Sequence, residues 1–148
     1  METLPKIPSG LTEDSWEQPL IRKGFVRRGY IAERLGLHPA VRFVYQPMLP
    51  EEADRMAYEV GQLAGDKAAQ ASSKIAKRLI HHVKSWSIDG MINEANFRSL
   101  GDTLLNRIRV IVAQQGASDI DPLWQEETED FKSVDQLLGE SLEPSPSE

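Results

Sequence analysis

"GLHPAVRFVYQPMLP", residues 36–50, is the stretch whose reading decides the fold. Val41, Phe43 and Tyr45 alternate with Arg42, Val44 and Gln46. A period of two in β-branched and aromatic residues predicts a strand. Pro39 and Pro47 bracket the run, as suits strand ends or an edge strand. Pro50 then stands where its missing N–H costs nothing, in the first turn of a helix.

Upstream, "GFVRRGYIAERLG" (24–36) puts Phe25, Arg27, Gly29 and Ile31 on one side of an extended chain. Val26, Arg28 and Tyr30 fall on the other, and Gly36 and Pro39 lie in the turn between the two strands. This predicts a two-stranded antiparallel ribbon. Two strands alone are marginal, so a helix must cover one face.

Downstream, apolar residues recur in steps of three and four from Ala53 and Met56 through Ile75 and Leu79 to Val83. That is a helical stripe. Glu51, Glu52 and Asp54 suit its positive end; Lys74, Lys77, Arg78 and Lys84 suit its negative end. Gly61 and Gly65 weaken the middle, giving one long helix or two with a break near "AGD" (64–66). "SWSIDG" (85–90) ends it with a short extended piece and an Asp-Gly turn, and Trp86 is expected to anchor the junction. Two shorter helices follow. Asn93 caps the first, Gly101-Asp102 separates them, and Gly116 closes the second. "ASDIDP" (117–122) reads as a loop that releases the chain into a tail.

The expected class is therefore α+β, mostly helical: a short antiparallel β-ribbon covered by a long helix and a second group of shorter helices. Residues 1–19, with three prolines, read as a flexible, irregular arm, its end pinned by Trp16 and Leu20. Residues 20–123 read as a single folded domain. Residues 124–148 read as an acidic tail with a short amphipathic helix and a disordered end, "EPSPSE".

Composition narrows the function. Cysteine is absent among the 148 residues, which removes disulfides, thiolate catalysis and Cys-ligated zinc. No apolar run approaches the roughly 20 residues of a membrane span, so no membrane association is expected. The net charge of −6 is segregated: −3 over residues 1–19, +5 over 20–49, +1 over 50–116 and −9 over 117–148.

Catalytic signatures are missing. There is no nucleophile elbow, zincin motif, P-loop or dinucleotide fingerprint. His81 and His82 are adjacent, so on a helix they point about 100° apart and cannot chelate one metal. The chain is expected to be non-enzymatic, with no cofactor and no metal. Arg27, Arg28 and Arg42 beside Phe25, Tyr30, Phe43 and Tyr45 suggest a nucleic-acid face. Those aromatics alternate as core residues do, however, and an acidic body repels phosphates, which argues against it.

One resemblance adds to this reading. The order "GYIAERLGLHPAVRFVYQPMLPEEADRM", a long helix, "HHVKSW", a Gly turn, "NEANFRSLGDTLLNRIRVIV" and "SDIDP" resembles the tail-assembly chaperones of long-tailed bacteriophages over residues 24–123. The resemblance implies a protein of the host cytoplasm that coats the long helical tape-measure protein before the tail tube forms, with self-association as a further partner mode. The alternative is a small structural virion protein, a tail-completion or head–tail component. Pliable Met48, Met56 and Met91 are then candidate partner contacts, as are Arg27, Arg28 and Arg42 on the ribbon. So are Trp124, Phe131 and Leu138, which form the apolar stripe of the tail.

Overall fold

In a computed structural model the described residues are 4–14, 20–63 and 65–123. Four strands and four helices follow in the order β1 (Thr12–Glu13), β2 (Phe25–Ile31), β3 (Val41–Tyr45), α1 (Pro50–Gly61), α2 (Ala68–His82), β4 (Val83–Trp86), α3 (Glu94–Arg98) and α4 (Asp102–Val112). A 3-10 turn, Gly65–Lys67, leads into α2. The class is α+β. Helix takes 42% of the described residues and strand 18%, so the domain is less helical than expected.

The expected ribbon is real but is only the centre of a mixed four-stranded sheet, ordered β1-β2-β3-β4. β2 and β3 pair antiparallel, with Arg27 opposite Tyr45, Gly29 opposite Phe43 and Ile31 opposite Val41. β4 adds antiparallel to β3, with an irregularity at Val44/Tyr45. β1 adds parallel to β2. The reason lies in β3, which is buried at all five positions. A strand buried on both faces needs a neighbour on each edge and cover on each side.

Helices cover the first face. Val41, Phe43 and Tyr45 join Ile31, Met48, Ala53, Met56, Ile75, Leu79, Phe97, Leu105, Ile108 and Val112 in one core. The Phe43 ring lies directly over Gly29, where an added Cβ would stand 2.5 Å from Cζ. Residue 29 is thus glycine because the ring occupies the place of a side chain. Trp86, half-buried and opposite Phe43, packs on Phe97 at 4.8 Å between ring centres. Its Nε1 donates to the Gly90 carbonyl at 3.0 Å. So Trp86 does join the sheet to the helical layer, from the rim of the core rather than from inside it.

Residues 4–14 of the expected irregular arm run against the sheet instead. Ser85 Oγ donates to the Lys6 carbonyl, Leu4, Ile7 and Leu11 are half-buried, and Thr12–Glu13 form β1. Prolines in that stretch supply no ladder donors, which is why the sequence carries no strand period there.

The helical stripe is not the one long helix of the expected architecture: it divides into α1 and α2 at Gly61–Gly65, the break that the two glycines allowed, and it stops at His82. Val83 and Lys84, read as its last turn, belong to β4, where Val83 pairs with Tyr45. The Asn93 cap is present: Asn96 N–H donates to Asn93 Oδ1 at 2.8 Å. Gly116 does not close α4. Gln114 takes the left-handed conformation, φ 59°, and Gln115 N–H reaches back to the Val110 carbonyl. That is a Schellman ending, with glutamine where glycine is usual.

Candidate partner-binding surface

The basic side chains of the ribbon are committed to the fold. Arg27, on the helix-facing side, donates to Gln114 Oε1 at 2.8 Å and lies 3.7 Å from Asp14 Oδ2. Arg28 Nε pairs with Glu13 Oε2 at 3.1 Å. Arg42, 3% exposed, grips Asp121, 5% exposed, at 2.6 and 2.9 Å, with the Tyr30 ring 4.8 Å from its guanidinium carbon. Burial pushes the Tyr45 hydroxyl up to about 12, against the opposing effect of the Arg27 charge. These arginines hold strands, arm and C-terminal segment together. As a flat basic docking face they are not displayed.

Met48 and Met56 are fully buried in the core, and Met48 also accepts through its carbonyl from Gln114 Nε2. They fill space between α1, α4 and the sheet, so neither meets a partner in this conformation. Met91, at 76% exposure in the β4–α3 loop, is on the surface. Trp124, Phe131 and Leu138, with the rest of the expected tail, lie outside the described residues, as does Trp16.

The "ASDIDP" loop does more than release the chain. Among the described residues, the outer edge of β2 has no partner strand beyond Val26, since β1 reaches only Phe25 and Val26. Ser118 and Asp119 close that edge. Tyr30 N–H donates to Ser118 Oγ at 2.7 Å, Asp119 N–H to the Tyr30 carbonyl at 2.9 Å, and Ala32 N–H to Asp119 Oδ2 at 2.8 Å. Arg107 of α4 holds the other Asp119 oxygen at 2.8 Å. A capped edge is blocked from pairing with another chain.

A second node joins α1 to the end of α2. His82 Nδ1 lies 2.8 Å from the Gln46 carbonyl and Nε2 lies 2.9 Å from Glu52 Oε2. Both contacts are to oxygen atoms of α1 and the segment before it. Arg78 reaches Glu52 and Glu59, each at 3.4 Å. Partial burial works against the Glu52 charge, but the hydrogen bonds and charges of His82 and Arg78 outweigh it, and the carboxyl sits below its ordinary value.

What the closed sheet does display is the β2–β3 hairpin tip. Arg34 and His38 bridge across it, and Leu37 N–H donates to the Arg34 carbonyl at 2.8 Å. Gly36 takes φ +84° at the third position of this turn, a geometry that suits glycine. The tight turn holds Leu35 at 93% exposure and Leu37 at 62%. Ile120, at 76%, stands out from the segment that caps the same end of β2. Sequence reading placed Gly36 and Pro39 in the turn and gave these leucines no role. The available signal was two leucines flanking a turn glycine, beyond the last paired strand residues.

Among the described residues, no helix is long and apolar enough to cross a membrane. No protein-family model matches the chain, and no curated protein and no solved structure matches it.

Proposed function

We propose that this chain is a non-enzymatic, protein-binding chaperone of phage tail assembly that keeps the tape-measure protein in solution in the host cytoplasm. Two supports bear on that reading. One is the order of elements that resembles such chaperones over residues 24–123. The other, which carries it, is the rigid hairpin tip that holds Leu35 and Leu37 in water. Apolar side chains kept exposed on a fixed turn are suited to insert between the apolar side chains of a partner helix.

Magnitude favours many weak contacts. Burying a leucine gains about 1.5–3 kcal/mol, so two give roughly 3–6 kcal/mol, where about 4 kcal/mol corresponds to a millimolar Kd. One copy holds a partner weakly; a row of copies along a long helix holds it by avidity. Weak, reversible cover suits a protein that must leave when the tube closes around the tape measure.

The test is co-expression with the tape-measure protein encoded beside it. Wild type is expected to raise the soluble fraction, in several copies per partner, and to be missing from finished particles by mass spectrometry. Leu35→Ser/Leu37→Ser is expected to lose the effect while melting at the wild-type temperature. A stoichiometric place in the finished particle overturns the chaperone reading in favour of a structural virion protein.

A further inference from the structure

α2 displays an exposed row of mostly basic side chains. Lys67 at its N-cap, Gln70, Lys74, Lys77 and His81 follow at steps of three and four, so they share one face, and Lys84, in β4 just beyond the helix, donates to the His81 carbonyl at 2.9 Å. The five on the helix are exposed, and Lys84 is half-buried. Among the described residues, ion pairs take an arginine or His82 as the cation and never one of these lysines. The placement is also unlike that of the other helices. α1, α3 and α4 each carry an acid in the first turn, whereas α2 carries none and begins on Lys67, at the positive end of its own dipole. The ridge spans about 22 Å of helix.

Its electrostatic complement is in the same chain. Residues 124–148 hold eight acids and one lysine, net −7, while residues 1–123 are net +1. The acidic segment begins directly after Leu123, whose N–H is held by Asp121. Extended, 25 residues reach up to about 85 Å, enough to meet any face of the domain. A tethered segment also acts at an effective concentration in the millimolar range, which a free polyanion must exceed while approaching a chain of net −6. We propose that the ridge from Lys67 to Lys84 is the docking face for this chain's own acidic segment, residues 124–148. Docking there neutralises this basic face and keeps nucleic acid off it. The inference stands apart from the chaperone reading, because it concerns α2 and not the hairpin tip.

Zero-length carbodiimide coupling of the full chain tests this, since it joins a lysine amine only to a touching carboxylate. At low salt, Lys74 and Lys77 are expected to couple to acids within 126–143 of the same chain. Mixed light and heavy-isotope chains should give products of a single label. Coupling should fall about fivefold or more as the screening length drops from about 30 Å at 0.01 M salt to about 3 Å at 1 M. Lys67→Glu/Lys84→Glu, with both reporter lysines intact, should lower it to a similar degree in a chain that still unfolds cooperatively. Absent coupling, salt-independent coupling or mixed-label products overturn the proposal. So does tight binding of a short DNA duplex that the same double variant abolishes in a chain showing no lysine–tail coupling.

Discussion

Arg42 and Asp121, 79 residues apart in sequence, meet in a two-point buried contact: Nε to Oδ2 at 2.6 Å and Nη2 to Oδ1 at 2.9 Å. One comes from the centre of the sheet and the other from the segment after the last helix. The pair fixes where that segment lies and so places Ser118 and Asp119 on the edge of β2. Two charges so sealed depend on each other, because neither has water to turn to.

Breaking one side of this pair is therefore costly. Asp121→Ala is expected to destabilise the domain by about 3–5 kcal/mol, since it strands a buried guanidinium. The double variant Arg42→Met/Asp121→Leu should lose much less. Urea unfolding of both, read by circular dichroism, checks the contrast. Equal losses would mean that the ion pair matters only through packing.

Gly29 predicts a steric effect. A methyl group there meets the Phe43 ring, which is fully buried and has no room to retreat. Gly29→Ala should cost roughly 1–3 kcal/mol by overpacking, despite the better strand propensity of alanine. In Gly29→Ala/Phe43→Leu much of that loss should return. A stable single variant would show that the ring can shift.

Gln114 predicts a contrast between two replacements. Its backbone occupies the left-handed region while its side chain links Arg27 to the Met48 carbonyl. Gln114→Ala loses the amide and keeps the strain; Gln114→Gly loses the amide and relieves the strain. The glycine variant should be more stable than the alanine variant by about 1–2 kcal/mol, to be read from paired thermal melts.

The Glu52 node predicts a pH dependence with a definite sign. A carboxyl held below its ordinary value of 4.5 contributes stability above that value and loses it as pH falls through the folded-state value. Wild type should thus exceed Glu52→Gln in stability at neutral pH, with the gap closing below about 4.5. Chemical unfolding of both across an acid series measures it. A gap that widens in acid would show that His82 and Arg78 do not hold the carboxylate charged.

Much of the local structure was legible. The alternation in 41–45 and the apolar steps between 53 and 79 marked a strand and a helical stripe, and Pro50, Gly61–Gly65 and Asn93 marked a start, a break and a cap. The binding surface was much less so. Met48 and Met56 were read as pliable contacts, yet a methionine on an amphipathic stripe has the same sequence signature whether it faces a core or a partner. Arg27 and Arg42 formed a basic cluster in sequence, and nothing nearby announced Asp14, Gln114 or Asp121 as their partners.

The sequence by itself determined the central strands and the helices, though not β1 or the start of β4, because side-chain period, caps and breakers act within a turn or two of chain. Only the tertiary structure decided that the arm joins β2 as a parallel strand, that "SDIDP" closes a sheet edge, and that the methionines turn inward while Leu35 and Leu37 stand in water. Those outcomes depend on contacts between segments far apart in the chain. Whether such a contact forms is set by the burial and charge pairing gained against the entropy of closing the loop between them, and that balance leaves no periodic trace in the residues on either side.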